Sequence, residues 1–398
     1  MSEPLRYDPY DYRIHEDPYP TYARLRAEVP LYHNEERGFW ALSRHDDVTA
    51  GFRNTGGLSS RFGVSLDPVA FGPDAHKSMS FLAMDPPRHT RTRALVAKGF
   101  TPRRVAALEP SIRRLAEDHL EAAISKAAGE FDFVTDFAGL LPMDVISEML
   151  GVPPSDRAEL RRLADLLVHR EDGVMGVPPV GIEAAVKLVT YFAELITERR
   201  IRLLDDLTSA LIQAETEGDR LSDDEITSIL LLMVVAGNET TTKMLANAWY
   251  WAWRFQDVKS TVLNRPSESS RWVEETVRYD NSTQMLVRVA SGDFEAHGTV
   301  VPDGSPVLLL VGAANRDPDV FPNPDVFYPD RDTSRLISFG SGRHFCLGAP
   351  LARLEGRIAL ETLARKIGDY DIDQDAAVRV HSINVRGFAA LPTAVKIR

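Results

Sequence analysis

Apolar residues along this chain recur mostly at helical spacing. In RRVAALEPSIRRLAEDHLEAAISKA (103–127), Leu108, Ile112, Leu115, Leu120 and Ile124 fall largely three or four positions apart, with charges between them. That period lays the apolar side chains along one face of an α-helix. Similar patterns predict helices over 143–150, 157–168, 181–201, 205–215, 223–254 and 347–367. Extended segments are fewer and shorter: 29–32, 38–43, 287–296, 299–301, 306–309 and 377–396, bounded by Gly, Pro and Asp. The expected fold class is mainly α with small accessory β-sheets. No linker and no fixed-period repeat divides the chain, so residues 1–398 are expected to form one domain, a helix-rich lobe plus a smaller β-rich one.

Two stretches resist this reading. Residues 54–84 are rich in Gly, Ser, Phe and Pro without sustained periodicity. Residues 311–345 carry NRDPDVFPNPDVFYPDRD, with too many prolines for either regular state. Long irregular connections in a compact chain are often functional.

Composition narrows the class. The chain is 44% hydrophobic and 26% charged, as soluble globular proteins are. Its N-terminus is polar and broken by proline, unlike a signal peptide, and its longest strongly apolar run (229–237) is about half a bilayer span. A cytoplasmic protein without a membrane anchor is expected. The net charge of −12 argues against a nucleic-acid surface. The charge is uneven: 88–104 holds six Lys or Arg and no acid, either a solvated helix face or a docking site for an anionic partner.

A single cysteine, Cys346, stands in ISFGSGRHFCLGAP (337–350). Alone it cannot form an intrachain disulfide or a multi-cysteine zinc site. It can be a buried small hydrophobe, a nucleophile or one thiolate ligand. Leu347, Leu351, Leu354 and Ile358 predict a helix right after it, whose free N–H groups would favour a thiolate. Gly340 and Gly342 allow a tight backbone approach, Gly348 leaves room at the helix start, and Arg343 and His344 add donors.

The segment FGSGRHFCLG (339–348) resembles the haem-binding signature of the cytochrome P-450 family, Phe-Gly-x-Gly-x-His/Arg-x-Cys-x-Gly, at Phe339, Gly340, Gly342, His344, Cys346 and Gly348. The resemblance implies haem b with Cys346 as iron ligand, held between a long central helix and the cysteine loop. Phe339 would pack beside the sulfur and His344 would lie near a propionate. It extends to AGNETT (236–241), similar to the family's oxygen-binding groove, with Ala236 and Gly237 at the haem and Glu239 and Thr240 as an acid–alcohol pair serving O2, the co-substrate. Glu275 and Arg278 resemble the family's Glu-x-x-Arg, coupled to Arg331 in the Pro-rich stretch as a structural brace. His89, Arg93 and Arg288 would bind propionates.

The implied activity is O2-dependent hydroxylation or epoxidation of a hydrophobic small molecule, such as a lipid, terpenoid, steroid or polyketide-like compound. Electrons would come from a ferredoxin and its NAD(P)H-dependent reductase, docking near the basic stretch; a monomer is expected. A peroxide-driven peroxygenase and a non-catalytic haem-based sensor are the alternatives. The first typically lacks the acid–alcohol pair, and the second needs an output module. Family pocket regions map to 58–82, 167–183, 232–236, 284–287 and 383–388. They offer Phe62, Phe71, Phe81, Leu82, Leu232, Val235, Met285, Leu286 and Val385 as an apolar lining. Arg61, His76, Lys77 and Arg386 are candidates for a polar substrate tail.

Overall fold

The computed structural model describes residues 4–67, 70–126, 129–168, 177–216 and 218–398. The helices that position the site are α1 (His45–Arg53), α2 (Arg88–Ala97), α3 (Glu109–Lys126), α4 (Leu140–Leu150), α5 (Arg157–Val168), α6 (Pro179–Ile201), α7 (Asp223–Arg254), α8 (Ser269–Tyr279) and α9 (Ala349–Lys366). The main strands are β1 (Leu31–Asn34), β2 (Phe39–Leu42), β3 (Leu58–Ser59), β4 (Glu130–Asp132), β5 (Leu286–Ala290), β6 (Pro306–Leu309), β7 (Ile367–Ile372) and β8 (Pro392–Ile397).

Helix α7 runs unbroken over the residues its periodicity predicts. Ser222 starts it with a capping box: its hydroxyl accepts from the Glu225 N–H at 3.2 Å, and Glu225 accepts from the Ser222 N–H at 2.9 Å. Asp223, Asp224 and Glu225 add negative charge at the positive end of the helix dipole. At 1.5 Å per residue α7 is about 48 Å long. By length and composition it could cross a membrane, but 67% of its most apolar window is buried inside the protein. It is a core helix. One apolar cluster packs it against α3, α8 and α9 through Ile112, Leu245, Trp249, Trp272 and Ile358. A second packs it against α5 and α6 through Leu160, Leu188, Phe192, Ile229 and Leu230. The AGNETT segment lies between these clusters.

The larger sheet has the order β1-β2-β6-β5-β3, with β6 parallel to β2 and every other pair antiparallel. Its register sets Arg288 opposite Val307. Alternation then puts Arg288 on the opposite face from Val287 and Val289. On that face its guanidinium lies 5.6 Å from the Phe52 ring of α1. A second sheet has the order β7-β8-β4.

Helices α1 and α8 are missing from the sequence prediction, although Val48 and Phe52 of α1 and Trp272, Val273 and Val277 of α8 recur at helical spacing on their buried faces. The helix expected over 347–367 starts two residues later and gives way to β7 at Ile367. In 54–84 the structure shows only β3, a helical turn at His76–Met79 and a 3-10 turn at Ser80–Ala83, with 68 and 69 outside the described residues. From Asn315 to Ser341 the proline-rich stretch forms no helix or strand.

Candidate functional site

The cysteine loop turns on two glycines in the left-handed region, Gly340 (φ +72°) and Gly342 (φ +70°). A side chain at either would be strained, and a Cβ on Gly342 would also press on the Phe52 carbonyl at 3.3 Å. The loop closes when the Cys346 N–H donates to the Phe339 carbonyl at 2.9 Å. Cys346 lies three residues before the first residue of α9, with Gly348 as the helix N-cap. The N–H groups of Gly348 and Ala349 reach the sulfur, the second also donating to the Cys346 carbonyl at 3.4 Å, and together with Arg93 they lower the thiol's pKa. Burial outweighs them and raises it. The side chain still has open surface, so the sulfur lines a recess rather than packed core. A Cβ on Gly348 would enter the space beside it, meeting only Sγ at 3.9 Å. The Phe339 ring packs under the Arg353 guanidinium at 4.3 Å, and Arg353 is paired with Glu274 at 2.5 Å.

Two elements bring cationic and imidazole groups to this loop. From α2, Arg93 donates to the Phe345 carbonyl at 2.6 Å. His89, one turn earlier, lies 4.1 Å from the His344 ring. From β5 comes Arg288, 2% exposed. The group is short of anions. Neither His89 nitrogen, nor Arg93 Nη1, nor His344 Nδ1 has a partner. The acid that Arg288 feels is Asp85, itself engaged by Ser59 and the Ser60 N–H. Burial pushes the Arg288 guanidinium down to about 10. Burial, Arg93 and Arg343 hold His89 down to about 4. Burial and Arg288 hold His344 down to about 2. Buried cations without counter-charges are costly. Desolvated donors of this kind suit carboxylates.

On α7, Ala236 is exposed and Gly237 has only Ile146 near a would-be Cβ, at 3.9 Å, so this stretch offers a thin, open wall. The Thr240 hydroxyl donates to the Ala236 carbonyl at 2.9 Å, leaving its lone pairs free. Glu239 forms an ion pair with Lys243 at 3.2 Å. Asp165 of α5 stands close: burial and then Glu239 raise its carboxyl, while Arg161 and Lys243 pull it down. Lys243 and Asp165 are absent from the sequence reading. The i, i+4 spacing of Glu239 and Lys243 is a visible signal; the approach of Asp165 from another helix is not.

Glu275, Arg278 and Arg331 come together. Arg278 donates twice to Glu275 at 2.8 Å, and Arg331 reaches the same carboxylate at 3.3 Å. The two arginines also donate to carbonyls of Asn315, Asn323, Pro324 and Val326. Glu275 and Arg278 are fully buried, unlike the surface pairs usual at i, i+3.

The predicted apolar lining is dispersed. Phe81 and Leu232 are 2% and 6% exposed within the α5–α6–α7 cluster, with Leu82 packed on it. Val235, Leu286 and Val385 are half-buried. Phe62 lies under the Arg61 guanidinium at 4.8 Å, and Phe71 packs on the cluster under the sheet. Met285 is fully buried in that cluster, where it accepts from the Tyr7 hydroxyl at 3.8 Å, so it is core rather than pocket wall. Arg386 is likewise corrected: it is buried and bound to Asp280 at 2.7 Å, which leaves no charge for a substrate. Lys77 pairs with Asp74 at 3.1 Å on the surface, and His76 is half-buried. Residues 169–176 of the pocket region 167–183 lie outside the described residues.

The basic stretch 88–104 is less positive than it reads. Arg91 is held by Asp219 and by Glu225 at 2.6 Å, Arg93 turns inward, and Arg104 pairs with Asp205 at 3.8 Å. Exposed positive charge at the cysteine loop comes from Arg343 and from Arg53, which donates to Ser341 at 2.9 Å.

Comparison with known proteins gives a consistent result. The family model for cytochrome P-450 matches residues 270–368. Cytochrome P-450 123 of Mycobacterium tuberculosis is 56% identical over 392 residues, 98% of this chain and 97% of that protein. The structure of CYP109Q5 from Chondromyces apiculatus superposes with a TM-score of 0.90 at 32% identity, covering 99% of both chains. That of CYP109E1 from Bacillus megaterium in complex with testosterone superposes with a TM-score of 0.86 at 31% identity, covering 95% of this chain and 99% of that one. This chain belongs to the cytochrome P-450 family of monooxygenases.

Proposed function

We propose that this enzyme inserts one oxygen atom from O2 into a hydrophobic small molecule of lipid, terpenoid, steroid or polyketide type, with electrons supplied by a ferredoxin and its NAD(P)H-dependent reductase. The observation that carries the reading is the convergence of Cys346 with buried, anion-seeking donors beside it. The residues fit haem. Cys346 would hold the iron, Arg93, Arg288, His89 and His344 would take the two propionates, and Phe339, Gly340 and Gly348 would shape the sulfur side. Ala236 and Gly237 would face the opposite side. When bound, haem supplies O2 activation and oxygen insertion.

The chain's own residues orient and supply protons. Thr240 Oγ1 keeps acceptor capacity towards the groove while donating to Ala236, so it can hold a water there. Glu239, near Asp165 of α5, takes up a proton and passes it towards Thr240. Glu275 ties Arg278 and Arg331 to the proline-rich stretch and so braces the approach to the cysteine loop. Leu82, Leu232 and Val235 give the α7 side an apolar character, which suits a hydrophobic guest. The relative from Bacillus megaterium crystallised with testosterone supports a steroid-sized one. Exposed Arg53 and Arg343, with Phe345 41% exposed between them and Cys346, offer an acidic ferredoxin a docking face.

The test is spectroscopic. The reduced, carbon monoxide-bound protein is expected to show the red-displaced Soret band of sulfur ligation, and Cys346→Ser to lose it. An unchanged band in the serine variant overturns the assignment. Testosterone and other steroids are then screened for a shift in ferric spin state, and Thr240→Ala for a lower yield of product per NADH consumed.

A further inference from the structure

Lys243 is a cation in an unusual place. It sits in the middle of α7, 5% exposed, one turn after Glu239 and on the half of the helix that is otherwise packed core. Its ammonium lies 3.2 Å from the Glu239 carboxylate. Its methylene stem lies flat on Gly387: a Cβ there would meet Lys243 Cβ, Cγ and Cδ at 2.5, 2.8 and 2.9 Å. Only glycine permits that approach. The strip that carries Gly387 is itself anchored, since Arg386 is bound to Asp280 at 2.7 Å and Asn247 of α7 donates to the carbonyls of Asp280 and Arg386. The lysine is thus clamped along its length, and its charged end is aimed at one carboxylate.

A second carboxylate makes that charge necessary. Asp165 of α5 faces the same pair, and burial together with the Glu239 charge raises its carboxyl. Arg161 lies near Asp165 but donates to Asp144 at 2.7 Å, which His119 also contacts at 2.9 Å. The direct counter-charge of Glu239 is therefore Lys243.

We propose that Lys243 is a positioning residue for proton delivery, holding Glu239 ionised and fixed beside Thr240 so that the carboxylate can take a proton from solvent and pass it on. The proposal rests on the role given to Glu239 above. In each cycle a water-borne proton protonates Glu239 and the ion pair loosens; the proton leaves towards Thr240 and the pair re-forms. No net charge accumulates.

The test compares holoenzymes. Lys243→Met keeps an apolar stem against Gly387 and removes the charge; Lys243→Arg keeps the charge. Infrared spectra at neutral pH are expected to show a protonated-carboxyl band in Lys243→Met that is missing in the parent, in Lys243→Arg and in Lys243→Met/Glu239→Gln. NADPH oxidation is then driven by a [2Fe–2S] ferredoxin and its reductase, with testosterone as probe. There Lys243→Met should slow about tenfold, less than the roughly hundredfold that losing a positioned acid–base group outright would cost, with a larger solvent deuterium isotope effect. Lys243→Arg should recover most of the rate. If Lys243→Met fails to fold, Lys243→Gln gives the same reading. Parental spectra together with a parental isotope effect in the charge-free variant overturn the proposal. If Glu239→Gln alone leaves oxidation and isotope effect intact, the delivery role of Glu239 falls, while the infrared band still reports whether Lys243 governs its ionisation.

Discussion

Two buried arginine clusters in this protein are built in opposite ways. At Glu275, Arg278 and Arg331 the guanidinium groups meet a shared carboxylate and a ring of backbone carbonyls. At the cysteine loop, Arg93 and Arg288 sit among imidazoles with unpartnered nitrogens, and the nearest acid is already engaged by Ser59 and Ser60. The first cluster is complete within the chain. The second is complete only with an anion brought from outside. Burial alone marks neither as structural or functional; what separates them is whether the protein satisfies its own donors.

The largest expected effect is at the closed cluster. Glu275→Gln leaves Arg278 and Arg331 without their counter-charge and should cost about 3–5 kcal/mol of stability, read by chemical denaturation. A midpoint near the parent's would break the comparison.

Next comes acid sensitivity at the open cluster. His89, at about 4, and His344, at about 2, both lie below their ordinary value of 6.5. Below 6.5 the unfolded chain binds more protons than the folded one. Stability present above 6.5 is therefore lost as pH falls through 4, by about 3 kcal/mol from His89, with His344 extending the loss to lower pH. His89→Gln should flatten that slope in haem-depleted protein, and bound carboxylates should flatten it in the parent. Identical pH profiles for His89→Gln and parent would count against the reading.

The smallest effect sharpens the contrast through its sign. Arg288→Met removes a buried cation with no counter-charge, its guanidinium donating only to the Val287 carbonyl at 2.8 Å, so haem-depleted protein should be as stable as the parent or about 1 kcal/mol more so. Haem retention should nonetheless weaken by about 1.5–3 kcal/mol, the worth of a charged hydrogen bond, measured by haem transfer to a scavenger protein. A parallel loss of stability in the depleted protein would make Arg288 a brace like Arg278.

Much of this was legible in the chain, for specific reasons. Helix α7 was readable to its ends because its apolar period is long and Ser222 caps it. The cysteine loop was readable because glycine is the residue that tolerates the φ values at 340 and 342. On helix α8 the apolar period of Trp272, Val273 and Val277 is visible, but Glu275 and Arg278 look like a surface pair until their partners from 315–331 are in place. Arg386 and Met285 were misplaced for the same reason: an apolar or charged residue near a pocket region looks identical whether it lines the pocket or backs it.

The sequence by itself determined the helical class, the extent of the central helix and the family, because periodicity, caps and glycine-bearing motifs are local and survive without neighbours. Only the tertiary structure decided which charges are spent and which are free. In the basic run at 88–104, Arg91 and Arg104 are answered by acids from 205–225, Arg386 is answered by Asp280, and Glu239 is answered by Lys243. Arg288 has no carboxylate of its own. Electrostatic pairing is a relation between residues distant in the chain, so it exists only once folding has brought them within a few ångströms.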